Sequence, residues 1–209
     1  AEAELLLEKH NTVEGVEALH ETLALNPRAS EAWFALGQIA LSRIDFPQVR
    51  VAVDSLRRVN PAHPLAALLL AQSALSQDDP DAAAEAIEPL LARWPTMRSA
   101  LEVAAAIEGL RYDDEALRAA LDRYDELSPG SPHAYFTAGS VLSSNRQYEL
   151  AAELLNEAAR RQPNWPPPLI ELGLLELQSG RDALALSALE QVAALDPYAK
   201  RVANSLFLL

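Results

Sequence analysis

Six prolines recur at a constant interval of 34 positions along this chain of 209 residues. They are Pro27, Pro61, Pro95, Pro129, Pro163 and Pro197. With 14 prolines in the chain, five further hits at preset offsets have a chance of roughly one in a million, before allowing for the choice of period and phase. The spacing therefore predicts a stack of about six similar units instead of one or two compact domains.

Two columns of residues keep the same character from unit to unit. The residue 24 positions before each proline is always small, which predicts a close approach between helices. The residue eight positions before each proline is always apolar, which predicts the core face of a repeated helix. The small column is Gly37, Ala71, Ala105, Gly139 and Gly173, and the apolar column is Leu19, Val53, Ile87, Leu121, Leu155 and Leu189.

Each unit shows the 3.6-residue period of an amphipathic helix twice, separated by a short break. In one such break Asp79 is a natural N-cap and Pro80 a natural first helical residue. Each unit is therefore predicted to be a helical hairpin, in a solenoid of about thirteen helices. The predicted first helices are 30–42, 64–76, 98–110, 132–144 and 166–178, and the predicted second helices are 46–59, 80–93, 114–127, 148–161 and 182–195.

The second unit carries Trp33, Leu36, Gly37, Phe46 and Pro61 at spacings that resemble the tetratricopeptide repeat family. The resemblance covers essentially the whole chain and implies an all-α, right-handed solenoid of helical hairpins. The third and fourth units match less well, because Ala67 and Leu101 replace the tryptophan. The predicted units are a partial repeat 1–29, full repeats 30–63, 64–97, 98–131, 132–165 and 166–199, and the start of a further repeat or capping helix at 200–209.

Charge and composition exclude several classes of partner and site. Thirty acidic against seventeen basic residues give a formal net charge of -13, which argues against nucleic acid and anionic membrane surfaces. The longest apolar stretch has seven residues, so no membrane insertion is expected. The absence of cysteine excludes disulfides and thiolate metal sites. The compartment stays open on the sequence, with the cytoplasm slightly favoured because no signal-peptide pattern is visible. The excess of arginine over lysine in an alanine-rich and leucine-rich chain is typical of bacteria.

No motif for catalysis, metal or cofactor binding is visible. The four histidines lack the i, i+4 spacing of a helical zinc site. The acidic clusters around Asp79 and Asp113 are 34 positions apart and are predicted to cap second helices. The run 165–168, Trp-Pro-Pro-Pro, is predicted to open a first helix. We therefore expect no enzyme activity, no metal and no cofactor.

In the tetratricopeptide family the first helices line a concave groove, and the resemblance places a set of side chains there. None of them is lysine, arginine or asparagine, which disfavours the carboxylate clamp that binds chaperone tails in this family. The set predicts a protein or peptide partner, apolar to mildly basic, although Leu65, Leu68 and Leu69 alternatively pack between adjacent first helices. The predicted groove residues are Glu31, Phe34, Gln38, Leu65, Leu68, Gln72, Glu102, His133, Phe136 and Ser140.

Three functions stay open on the sequence: a peptide-binding module, a structural spacer or self-association module, and a regulatory arm of a larger enzyme. Ala1 falls inside a first helix and the chain ends on apolar residues, so we expect a fragment whose parent continues on the C-terminal side. We also expect homo-oligomers through the solenoid ends, suppressed by Phe207→Glu and measurable by light scattering.

Overall fold

A computed structural model describes residues 12–195, and this part of the chain contains eleven α-helices and no strand. The predicted all-α solenoid is confirmed. The helices are α1 (Thr12–Leu25), α2 (Ser30–Ser42), α3 (Phe46–Val59), α4 (Pro64–Leu75), α5 (Pro80–Arg93), α6 (Arg98–Leu110), α7 (Asp114–Leu127), α8 (His133–Ser144), α9 (Tyr148–Arg161), α10 (Pro167–Gln178) and α11 (Asp182–Leu195).

The observed helices match the predicted ones to within one residue at every end. The structure ends α4 at Leu75, one residue early, and begins α8 and α10 one residue late, because Pro132 and Pro166 occupy their N-cap positions. The helices expected before residue 12 and after residue 195, and the association surface expected at Phe207, lie outside the described residues. That association therefore stays a prediction.

Aspartates begin three of the second helices. The Oδ1 atoms of Asp45, Asp79 and Asp113 accept hydrogen bonds from the backbone N–H three residues later, at 3.2, 2.9 and 2.9 Å. Such a side chain satisfies one of the amides that the first turn of a helix leaves free. The predicted capping role of Asp79 and Asp113 is therefore confirmed.

The turn inside each hairpin uses a left-handed residue. Four residues other than glycine have φ between 58° and 63°, and Gly180 has φ of 69°. All five stand 34 positions apart, so the turn repeats with the same backbone conformation in every described hairpin. They are Ile44, Asp78, Tyr112, Arg146 and Gly180.

The repeated apolar column forms the core between the two helices of each unit. Its members are all buried, from Leu155 with no exposed area to Leu19 at 5%. The small column lies against it: a Cβ atom added to Gly139 would lie 2.8 Å from Cγ of Leu155, and one added to Gly173 would lie 2.7 Å from Cδ2 of Leu189. The predicted close approach of the two helices is therefore confirmed.

The stacking of units is regular except between the fourth and the fifth. Elsewhere each second helix packs along the next first helix, but α7 contacts α8 only slightly, and α6 packs along α8 instead. Small residues permit this approach: Ala106 is fully buried, and a Cβ added to Gly109 would lie 3.0 Å from Cδ2 of Leu142. The Nε2 atom of Gln147 also donates to the carbonyl of Gly109 at 3.2 Å.

A polar network fills the space that α7 leaves beside α8. The guanidinium of Arg161 donates to both carboxylate oxygens of Asp125, at 2.5 and 2.7 Å. The same group lies 3.7 Å from the ring centroid of Tyr135, whose hydroxyl donates to Asp125 at 2.8 Å. The irregular junction is thus held by a partly buried ion pair and an aromatic contact, whereas the ion pair of Arg111 with Asp81 at the preceding junction is exposed at Asp81.

Candidate functional site

The predicted groove residues lie on the first helices α2, α4, α6 and α8, but they differ in exposure. Leu68 is only 3% exposed and belongs to the core, so its side chain has the packing role that the sequence left open. Phe34 and Leu65 are half-buried and pack against the core. Glu31 is exposed at the start of α2.

Two of the predicted groove residues, both glutamines, connect α2 and α4. The Nε2 atom of Gln38 donates a hydrogen bond to Oε1 of Gln72 at 2.5 Å. Because the two residues are 34 positions apart, they occupy the same place in adjacent units. The pair leaves further amide donors and acceptors, and such groups bind the backbone of a peptide.

Glu102 on α6 is a partly desolvated carboxylate. Burial raises its pKa above the ordinary value, and the hydrogen bond that it accepts from the hydroxyl of Tyr124 at 2.9 Å partly offsets this, as do the charges of His133 and Arg98. No lysine or arginine within residues 12–195 forms an ion pair with it. Its carboxylate therefore retains acceptor capacity for a cationic group of a ligand.

An aromatic cluster lies at the start of α8. The ring of Trp165 meets His133 edge to face at a centroid distance of 4.8 Å, and meets Phe136 at 4.9 Å. The sequence indicated only a helix start at Trp165 and missed this contact. His63 occupies the same place in its repeat as Trp165, and its Nε2 atom lies 2.9 Å from the hydroxyl oxygen of Ser30. In both places the last residue of a repeat contacts the first helix of the same repeat.

Two further polar groups lie on the first helices α8 and α10. The hydroxyl oxygen of Ser140 is buried and has no hydrogen-bond partner in the described residues. Glu171 lies one turn after Pro167 on α10, and burial raises the pKa of its carboxyl group. The sequence gives no signal for Glu171, because the residue 26 positions before each proline changes in character from unit to unit.

The described residues offer no centre for metal-dependent chemistry. No group of three or more histidine, aspartate or glutamate side chains within residues 12–195 is placed to hold a metal ion. Over the same residues no helix is long and apolar enough to cross a membrane. The groups that do come together can accept hydrogen bonds, bind a cation and contact apolar side chains.

The match to a protein-family model decides which family the chain belongs to. The tetratricopeptide repeat model matches residues 1–48, 49–97, 68–132, 114–166 and 136–200, which together cover nearly the whole chain. The chain belongs to the tetratricopeptide repeat family. Members of this family generally mediate protein–protein interactions.

Solved structures share the fold of this tetratricopeptide repeat protein at low sequence identity. A chain of the APC/C hetero-tetramer Cut9-Hcn1 is similar with a TM-score of 0.62 at 15% identity, over 95% of this chain and 40% of that one. TTC0263, a thermophilic TPR protein in Thermus thermophilus, matches with a TM-score of 0.56 at 21% identity, over 87% and 100% of the two chains. Yeast Tom70 matches at 0.55 and 18% identity, over 93% of this chain.

These similarities establish the fold alone. The present chain spans 43% of the yeast Tom70 chain that it matches. No curated protein matches the chain.

Proposed function

We propose that this tetratricopeptide repeat protein binds a peptide or helical segment of a partner protein on its concave surface. The segment is apolar to mildly basic. The observation that carries the proposal is the carboxylate of Glu102, which is partly buried and has no ion pair in the described residues. It interacts with the charge of His133, and His133 belongs to the aromatic cluster with Phe136 and Trp165. An apolar ring surface beside an acidic group fits a basic side chain flanked by apolar ones.

The energetics favour a cationic ligand at this place. A carboxylate that has already lost part of its hydration gains a charge-assisted hydrogen bond from lysine or arginine at a reduced cost of desolvation. The faces of Phe136 and Trp165 add apolar contact and attraction for the cation. The carboxyl group of Glu171 adds a second acidic group on the next first helix.

A peptide selection tests the proposal. A phage-displayed library of random peptides is selected on the immobilised chain, and the enriched peptides are measured by fluorescence anisotropy against variants. We expect basic, partly apolar peptides, which Glu102→Gln weakens by about ten-fold, because glutamine keeps the hydrogen bond from Tyr124 but removes the charge. Phe136→Ala is expected to weaken the binding of these peptides by about 1 to 3 kcal/mol, and Phe34→Ala should do the same if the ligand extends to α2.

Folding controls separate binding from stability. Phe34 and Phe136 touch the core, so their alanine variants are melted alongside Leu155→Ala, which removes a fully buried side chain and costs about 2 to 5 kcal/mol of stability. If Glu102→Gln binds every selected peptide as well as the wild type, the concave proposal is wrong. If no peptide is selected on this face, the spacer function is favoured.

A further inference from the structure

A second groove lies on the outer face of the solenoid, between α3 and α5. It encloses about 1040 Å³, and one face of α4 forms its floor. The floor residues Ala66, Leu70 and Ala74 lie on the side of α4 opposite to Leu65 and Gln72, because successive residues of an α-helix are about 100° apart. This groove is therefore separate from the concave surface.

Three arginines line the groove: Arg50 and Arg57 from α3, and Arg93 from α5. None of them forms an ion pair with a carboxylate in the described part of the chain. The guanidinium of Arg93 lies 4.7 Å from the ring centroid of Trp94, which also lines the groove. Unpaired arginines are notable in a chain with a net charge of -13.

The carboxylates of the groove do not neutralise these arginines. Asp79 already accepts the capping hydrogen bond from the N–H of Ala82 at 2.9 Å, which leaves Glu85 as the other acidic lining residue. Asp54 lies on the same stripe of α3 as Arg50 and Arg57 but makes no ion pair with them. The lining residues therefore comprise three arginines against two carboxylates, an excess of one positive charge, and the arginines are free of contact ion pairs within the described residues.

Among the repeat-equivalent grooves of the described residues, the positions of Arg50, Arg57 and Arg93 are all arginine in this groove alone. The groove on α5 and α6 is lined by four carboxylates and no arginine or lysine. In the groove between α7 and α9 the equivalent residues are Arg118, Asp125 and Arg161. Two arginines recur there, but Asp125 replaces the third and pairs with Arg161. In the three other equivalent grooves all three positions are apolar. The residues are Val16, Leu23 and Val59 beside α2, Ala84, Leu91 and Leu127 beside α6, and Ala152, Ala159 and Leu195 beside α10.

The floor of the groove is also unusually open. The equivalent groove between α9 and α11 encloses about 470 Å³, less than half the volume. Leucines occupy it at Leu169 and Leu184, where the larger groove has Ala67 and Ala82. Small side chains thus leave room for the apolar side chains of a ligand beneath a rim of arginines.

We propose that this outer groove binds an acidic peptide segment of a partner protein, one that also carries aliphatic or aromatic side chains. The carboxylates of the segment pair with Arg50, Arg57 and Arg93, whose guanidinium groups match carboxylate geometry. Its apolar side chains fill the alanine floor and contact Trp94. The floor from Ala66 to Ala74 is about 12 Å long, which corresponds to about two turns of a helix.

A displayed library of random peptides, selected on the full chain, tests the proposal. We expect a class of enriched peptides that are acidic and partly apolar and whose binding weakens as salt is added. The double variant Ala67→Leu with Ala82→Leu fills the floor as the chain itself does at Leu169 and Leu184, and should weaken these peptides about ten-fold or more. Replacing the three arginines by alanine should have a similar effect, and replacing them by lysine a smaller one.

The controls distinguish this groove from the concave surface and from unspecific attraction. Glu102→Gln should leave the acidic class unaffected, and circular dichroism should show that the leucine variant keeps its helices. The arginines are exposed, so their variants give an answer even if the leucine variant unfolds. The proposal is overturned if no acidic class is enriched, if both sets of variants bind it as the wild type does, or if a short DNA duplex competes equally well.

Discussion

The fold shifts the pKa values of individual carboxyl groups in opposite directions. Burial alone raises the pKa of Glu171, whereas hydrogen bonds from Arg160 and then Arg161 lower the pKa of Glu157 to about 2. Desolvation disfavours the charged form, and a hydrogen-bonded cation favours it. Ionisation therefore opposes folding at Glu171 and supports folding at Glu157.

We predict that Glu171→Gln raises the free energy of unfolding at pH 7. A carboxyl group with a higher pKa in the folded state contributes most below its unfolded pKa, and that contribution is lost as the pH rises through the folded pKa. Urea melts at pH 7 and pH 4 measure the effect, and the gain should shrink at pH 4. Glu153→Gln, at an exposed position of α9, is the control and should change stability by no more than about 0.5 kcal/mol. A loss of stability at pH 7 in Glu171→Gln would contradict the assignment.

At the scale of an element, the hairpin turn imposes one backbone conformation on unlike residues. Ile44 has φ of 58° and is 71% exposed, so the turn strains a β-branched residue without burying it. Gly180 adopts the same turn in the sixth unit, and a Cβ there would meet nothing within 4 Å. Backbone strain, without crowding, distinguishes the two positions.

We predict that Ile44→Gly stabilises the chain by about 0.5 to 1 kcal/mol. Relief of the left-handed strain, about 1 to 2 kcal/mol, exceeds the entropy that glycine adds to the unfolded state. Thermal and denaturant melts followed by circular dichroism measure the change. The reverse variant, Gly180→Ile, should lose stability for the same reason. If Ile44→Gly instead loses stability and Gly180→Ile gains it, the turn carries no strain, because only the entropy of glycine in the unfolded state then remains.

At the scale of the whole molecule, the network around Arg161 holds the one irregular junction in the described solenoid. Its side chain is 12% exposed and that of Asp125 is 29% exposed, so both ions have given up much of their hydration. The hydrogen bond from Arg161 lowers the pKa of Asp125. Removing the arginine leaves a carboxylate without its cation beside the hydroxyl of Tyr135.

We predict that Arg161→Ala destabilises the chain by about 2 to 4 kcal/mol at pH 7. A carboxyl group whose pKa is lowered in the folded state contributes stability at pH values above its unfolded pKa. That contribution is lost as the pH falls through the folded pKa, which for Glu157 is about 2. The wild type should therefore lose stability below about pH 4, and the variant should lose less. Denaturant melts from pH 7 to pH 3 measure this, with Arg118→Ala, on α7, as control. Equal pH dependence in the two proteins would contradict the prediction.

The sequence predicted the repeat and nearly every helix end, because these depend on local signals. A period of 34 positions, aspartates such as Asp79 and prolines such as Pro80 act within a short stretch of the chain, and the structure follows them. The apolar column, which includes the fully buried Leu155, also identified the core correctly. Of the groove residues, Leu68 shows the limit: its position on a first helix is periodic, but its burial depends on how closely α6 approaches α4.

Only the tertiary structure decided how neighbouring units meet. The tight packing of α6 on α8 and the opening of the outer groove beside Arg57 are relations between residues of different units. The contact of Trp165 with Phe136 joins the two ends of one unit, which the periodic pattern does not show either. The relations between units depend on side-chain volumes summed across an interface, as at Gly109 and Leu142. A repeat pattern records what the units share, whereas the surfaces that can bind a partner arise where one unit departs from its neighbours.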